Sequence, residues 1–139
     1  MTIEEAINPI GSFTDPEYAQ VGMTEAKARE IHEVIAVSVH FDSTTRTIID
    51  GRTEGFCKLV VDRSSYKILG CHVVGERAVE ISQVAAVAIA AGMRVDELAH
   101  IPLSFPTYAG ILGRAAATAT RQLNLKSSRQ TQQAEYFEC

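Results

Sequence analysis

The stretch from Ala78 to Ala91 sets the strongest limit on what this chain can fold into. It carries Val79, Ile81, Val84, Val87 and Ile89 among alanines, and its polar side chains are Glu80, Ser82 and Gln83. A helix apolar nearly all round is expected to be buried on most sides. Its alanines permit close approach of a neighbouring element, and Gly92 is a suitable stop. No apolar run in the chain approaches the roughly 20 residues that span a bilayer.

What precedes the helix reads as strands. Ile10 to Gly22 contains Thr14-Asp15-Pro16-Glu17, a turn flanked by short extended pieces. Thr24 can cap a short helix to about Ile31, without a full capping box because Lys occupies position 27. Val34 to Phe41 is alternating and β-branched, as in a strand. Ser43 to Asp50 is ambiguous. Phe56–Asp62 and Ile68–Val74 flank Arg63-Ser64-Ser65-Tyr66-Lys67, which predicts an antiparallel hairpin closed by Gly75. After the apolar helix, Val95–His100 predicts one or two helical turns. Pro102 and Pro106 force an extended segment around Phe105, and a last helix is expected from about Thr107 to Leu123. Strands followed by helices give an α+β class: an antiparallel β-sheet with helices packed on one side. The expected organisation is an N-terminal lead-in at 1–9, one domain at 10–123 and a polar C-terminal tail at 124–139.

The 139 residues suit a single domain. A net charge of −4 without a basic block argues against nucleic acid as a partner. The Met1-Thr2-Ile3-Glu4-Glu5 start has no basic n-region, so a cytoplasmic location without a membrane partner is the default. Cys57, Cys71 and Cys139 match neither C-x-x-C nor a metal pattern, so no metal site is expected. Cys57 and Cys71, on the two arms of the hairpin, are expected as core packing. His32, His40, His72 and His100 are dispersed, and satisfied structural positions are expected for the two in strands, His40 and His72. Glu25, Glu30 and Glu33 read as a solvated face. The chain has no G-x-G-x-x-G after a strand, no phosphate loop, no G-x-S-x-G and no H-E-x-x-H. A small enzyme built on Cys57 or Cys71 with His72 lacks a visible nucleophile–base–orienter set.

Several segments together carry a resemblance. Phe13-Thr14-Asp15-Pro16-Glu17-Tyr18-Ala19-Gln20-Val21-Gly22 is followed by Thr24-Glu25. Gly55-Phe56-Cys57-Lys58-Leu59-Val60, Ile68 to Gly75 and Glu80 to Ala91 come next. In that order and spacing, over roughly residues 10–120, they resemble the C-terminal dimerisation domain of the pyridine nucleotide–disulfide oxidoreductases. Glutathione reductase, dihydrolipoamide dehydrogenase and mercuric reductase are members. The resemblance implies the fold of an FAD/NAD-linked reductase C-terminal domain and a two-fold homodimer using the same patch on both subunits. It implies upstream FAD and NAD(P) domains in a parent chain. It also implies that Ala78–Ala91 serves as the interface helix.

In this family the domain lends its partner a His-Pro-Thr segment with a Glu three residues past the Thr, an acid–base pair beside the redox disulfide and flavin. The matching stretch here is Phe105-Pro106-Thr107-Tyr108-Ala109-Gly110. Phe105 stands at the His position and Gly110 at the Glu position, and neither side chain can exchange a proton. No catalytic residue is therefore expected in this chain, and the expected flavin-facing contact in the partner subunit is Phe105 and Pro106. Mercuric reductases place a Tyr at the His position and end in paired cysteines, whereas this sequence has Phe105 and one terminal Cys139. The redox cysteines and the flavin and nicotinamide fingerprints lie outside these residues. The expectation is a piece of a longer enzyme or a naturally separate domain. It would bind no cofactor by itself, with FAD and NAD(P)H belonging to the full-length protein. The alternative is a stand-alone homodimeric interaction module of the same fold without redox activity.

Overall fold

The structure is a computed structural model and describes residues 9–125. Its strands are β1 (Ile10–Ser12), β2 (Tyr18–Gly22), β3 (Val34–His40), β4 (Phe56–Asp62) and β5 (Ile68–Val74). They form one sheet in the order β1-β2-β5-β4-β3, every neighbouring pair antiparallel. The helices are α1 (Glu25–Ile31), α2 (Thr45–Asp50), α3 (Ala78–Ala90), α4 (Val95–His100) and α5 (Gly110–Gln122). A 3-10 turn at Phe41–Ser43 leads into α2. Among the described residues, no helix is long and apolar enough to cross a membrane.

Period-2 alternation fixes the faces. Ile35, Val37, Val39, Cys57, Leu59, Val61, Cys71 and Val73 turn to one side and are buried. There α3 lies over β5, β2 and β1, α5 lies over β3 and β4, and α4 packs on α5. Ile81, Ala85, Ile111, Leu112 and Ala116 close the core from above. Each fully buried aliphatic side chain contributes about 1.5–3 kcal/mol. The other sheet face is covered only at one corner. There α1 sets Ala28 against Val34 and Val60 in a second small cluster, so the three longer-range packing helices share one side and α1 takes the opposite one. The β4–β5 register shifts at Val60/Val61, and both valines are fully buried, Val61 in the main core and Val60 under α1.

Close contacts require glycine at several positions, Gly75 and Gly70 among them. A Cβ on Gly75, at φ +135°, would sit 2.4 Å from the Phe41 ring. A Cβ on Gly70 would sit 2.0 Å from the Met23 carbonyl oxygen.

The hairpin matches its expected bounds to the residue. The ambiguous Ser43–Asp50 stretch resolves as the end of the 3-10 turn plus α2, which Gly51 ends in the left-handed region. The last helix begins at Gly110, not Thr107. The Thr107 hydroxyl donates to the Ser104 carbonyl at 2.7 Å and accepts from Gly110 N at 3.2 Å, which makes residues 104–107 a turn before the helix. The helix expected to be buried on most sides is buried on one. Val84 and Val87 stand 36% and 69% exposed, with Glu80, Gln83, Ala90 and Ala91 beside them. Among the described residues, Val87 is left largely uncovered and Val84 is flanked only by the edge of the cleft at residues 106–109. The tail from residue 126, with Cys139, and the lead-in before residue 9 lie outside the described residues.

Candidate functional site

The segment between α4 and α5 is built by its prolines. α4 ends at His100 and Pro102 follows, and the Phe105–Pro106 peptide is cis. The ring of Phe105 is 80% exposed, the largest apolar side chain on this rim to be so. Tyr108 points the other way. Its hydroxyl donates to Asp50 Oδ2 at 2.7 Å, and Arg46 Nε donates to the same oxygen at 3.1 Å. The hydrogen bond from Tyr108 and the guanidinium of Arg46 hold the Asp50 carboxyl below its ordinary range. Burial, and then Asp50 itself, push the Tyr108 phenol up to about 12. Tyr108 is thus a fixed donor and not a proton shuttle at neutral pH. The Arg114 guanidinium donates to the Ser43 carbonyl and ties the first turns of α5 to the entry of α2.

Between α2, the start of α3 and residues 106–109 lies a cleft of about 530 Å³. Its walls include Arg46, Asp50, Arg52, Arg77, Val84 and Tyr108. Arg52 lies 3.5 Å from Asp15 and 3.6 Å from Glu76, so much of the charge here is paired. A smaller cleft of about 210 Å³ continues past Phe105 between α2 and α5. The outer stripe of α3, the cleft and the Phe105–Ala109 segment thus form one continuous rim.

Gly110 is the first residue of α5, and the atom nearest to an added Cβ is Thr107 Oγ1 at 3.6 Å. The backbone leaves room for a larger side chain there. The missing carboxylate is not imposed by packing.

Away from the rim, the remaining candidates separate. Cys57 pairs with Val73 and Cys71 with Leu59, so the two thiols are diagonal neighbours on the core face, one register step apart. Both are free and buried, and the neighbouring Cys71 together with burial pushes the Cys57 thiol well up. His32 Nδ1 sits 3.0 Å from Asp62 Oδ2, and His40 is exposed. His72 departs from the satisfied position expected for it. Its Nε2 is buried and has no hydrogen-bond partner among the described residues. Burial, with Lys58 nearby, pushes the imidazole below its ordinary value, against the Met23 carbonyl and Glu25. Glu25 is not merely solvated: Lys58 Nζ lies 2.5 Å and Arg29 2.7 Å from its carboxylate. Among the described residues, no group of three or more His, Cys, Asp or Glu is placed to hold a metal ion.

Residues 8–116 match the family described as "Pyridine nucleotide-disulphide oxidoreductase, dimerisation domain". The chain belongs to that family. Among its relatives, a mercuric reductase of Lysinibacillus sphaericus is 34% identical over 122 residues, covering 87% of this chain and 22% of that protein. A dihydrolipoyl dehydrogenase of Synechocystis sp. is 34% identical over 112 residues, covering 77% of this chain and 24% of that protein. Among solved structures, LpdA from Mycobacterium tuberculosis superposes with a TM-score of 0.79 at 25% identity, over 86% of this chain and 26% of that one. The HOCl-induced flavoprotein disulfide reductase RclA from Escherichia coli gives 0.77 at 23% identity, over 80% and 26%, a likeness of fold. The chain spans about a quarter of the length of these proteins. Members of the family are FAD- and NAD(P)-dependent, and this domain makes their homodimer.

Sequence reasoning reached Phe105, Pro106 and Gly110 through the motif they replace. It missed Arg46, Asp50 and their link to Tyr108. Asp50 and Tyr108 are 58 residues apart, and no local pattern signals the contact.

Proposed function

We propose that this chain assembles as a two-fold homodimer through its outer rim and serves as the dimerisation domain of a FAD- and NAD(P)H-dependent oxidoreductase. The observation that carries this reading is the apolar stripe of α3. Val84 and Val87 are exposed on a helix whose other side is fully packed, and Val84 also walls the cleft beside residues 106–109. A symmetric contact buries the same stripe on both copies. The unit formed by residues 10–123 does this work, with 1–9 and 124–139 as flanking segments, in the cytoplasm.

In this reading the parent chain's FAD and NAD(P) domains lie outside the described residues. The described sheet is entirely antiparallel and contains no βαβ unit of the dinucleotide-binding kind. What the described residues fit is one wall of a flavin site in the partner subunit. Phe105 and Pro106 present an exposed apolar surface at the rim, suited to a planar ring. Neither Phe105 nor Gly110 moves a proton, so any acid–base step at the partner's thiols must come from another group. The chemistry supplied by a bound flavin is electron transfer. This segment can exclude water from it and orient it.

Sedimentation equilibrium of the chain across micromolar concentrations tests the assembly. A monomer–dimer equilibrium with most chains dimeric is expected. A strict monomer over that range overturns the reading.

A further inference from the structure

We infer that Asp50 is a positioning residue for the rim segment Ser104–Ala109, which it anchors through the hydroxyl of Tyr108. The inference rests on the flavin-wall reading above and deepens it.

The segment has two kinds of tether. One is internal: Thr107 bonds to Ser104 and to Gly110 and shapes the turn. That tether shapes the turn and its junction with α5 but does not reach α2. The Tyr108–Asp50 bond is external and does reach it, because Asp50 belongs to α2 and is reached across 58 residues of sequence. Asp50 is itself aimed by Arg46 one helical turn earlier, which donates to the oxygen that Tyr108 uses. A charge-assisted bond from a phenol to a carboxylate is among the stronger and more directional kinds. The C-terminal side of the same segment is tied to the same region, since Arg114 on α5 bonds to Ser43 just before α2. Two contacts on the C-terminal side of Phe105–Pro106 thus tie the segment to α2 and the turn before it. The family's acid–base pair is absent from this segment, and its remaining contribution to a partner site is placement. That makes the external tether the feature on which the contribution depends. A group misplaced by about 1 Å at a reacting centre can cost up to 10²-fold in rate.

The test uses Tyr108→Phe, which keeps the ring and removes one hydrogen bond, with Asp50→Asn as the variant that retains an acceptor and Phe105→Ala as the control for the wall itself. In the chain alone, hydrogen exchange of the Thr107–Ile111 amides is expected to speed up at least about 3-fold in Tyr108→Phe and much less in Asp50→Asn. The dimer is expected to be unchanged in both. Unchanged exchange in Tyr108→Phe overturns the inference. In the flavin-loaded parent chain, the visible circular dichroism of the flavin is expected to change in both Tyr108→Phe and Phe105→Ala. A change in Phe105→Ala alone overturns the positioning role and leaves the wall reading standing. No change in either overturns the wall reading, and the positioning role with it.

Discussion

The β4–β5 hairpin and the rim formed by α3 and residues 104–110 are both apolar, and they use that property in opposite ways. In the hairpin, Leu59, Val60, Val61 and Val73 are within 1% of complete burial inside one chain. On the rim, Val84, Val87 and Phe105 are left open. The hairpin is closed by local pairing and by helices of its own chain. The rim is left open by the described residues, and on the proposed reading a second copy covers it. Contiguous exposed apolar patches mark interaction surfaces, and α3 presents the neighbouring Val84 and Val87 to solvent.

The largest effect is expected in the core. Leu59→Ala is expected to cost about 2–5 kcal/mol of stability, because it leaves a cavity among fully packed neighbours. Urea unfolding checks this, and a loss below 1 kcal/mol means that the sheet face is not the core. Gly75→Ala is expected to cost about 1–3 kcal/mol for the backbone conformation alone, with more for the clash against Phe41. The same titration reads it.

The rim responds differently. Val87→Arg is expected to leave the fold intact and weaken self-association by at least about 30-fold, the scale of a 2 kcal/mol interface anchor. Comparing urea midpoints at a fixed high and a fixed low concentration separates the two effects, since a dimer's apparent stability rises with concentration and a monomer's does not.

His72 sharpens the comparison on the open sheet face. Its folded-state pKa is depressed below 6.5, chiefly by burial. The unfolded chain therefore binds the proton more readily. Stability contributed by the neutral ring is fully present above the unfolded pKa and is lost as pH falls through it towards the folded value. Below the folded value the loss is complete. His72→Gln is expected to flatten the stability-against-pH curve in this acidic window. An identical curve contradicts the placement of the ring.

The smallest effect is expected from Phe105→His combined with Gly110→Glu. Both positions are open, so stability is expected to change by no more than about 0.5 kcal/mol. A large loss, seen by thermal unfolding, means that the rim is packed more tightly than its exposure indicates.

Legibility in the sequence follows the same division. Alternation in Phe56–Asp62 and Ile68–Val74 gave the hairpin bounds, because a half-buried strand writes its faces at every second residue. Thr24 was readable as a cap because capping is local, and its hydroxyl does accept from Lys27 N at 3.2 Å. The Ala78–Ala90 helix was readable as a helix but not as one with an open side, since composition does not say which apolar residues face the same chain. Phe105 and Gly110 were found only because a resemblance marks what normally stands there. The Asp50–Tyr108 bond carried no signal at all, being a long-range contact between a short helix that periodicity left undecided and a turn set by prolines.

On the proposed reading, the outer stripe of α3 is an interface between two copies. Sedimentation equilibrium of the wild type and Val87→Arg side by side tests it most directly. The wild type is expected to be a dimer and the variant a folded monomer at the same micromolar concentration. A variant that remains dimeric with unchanged affinity contradicts it.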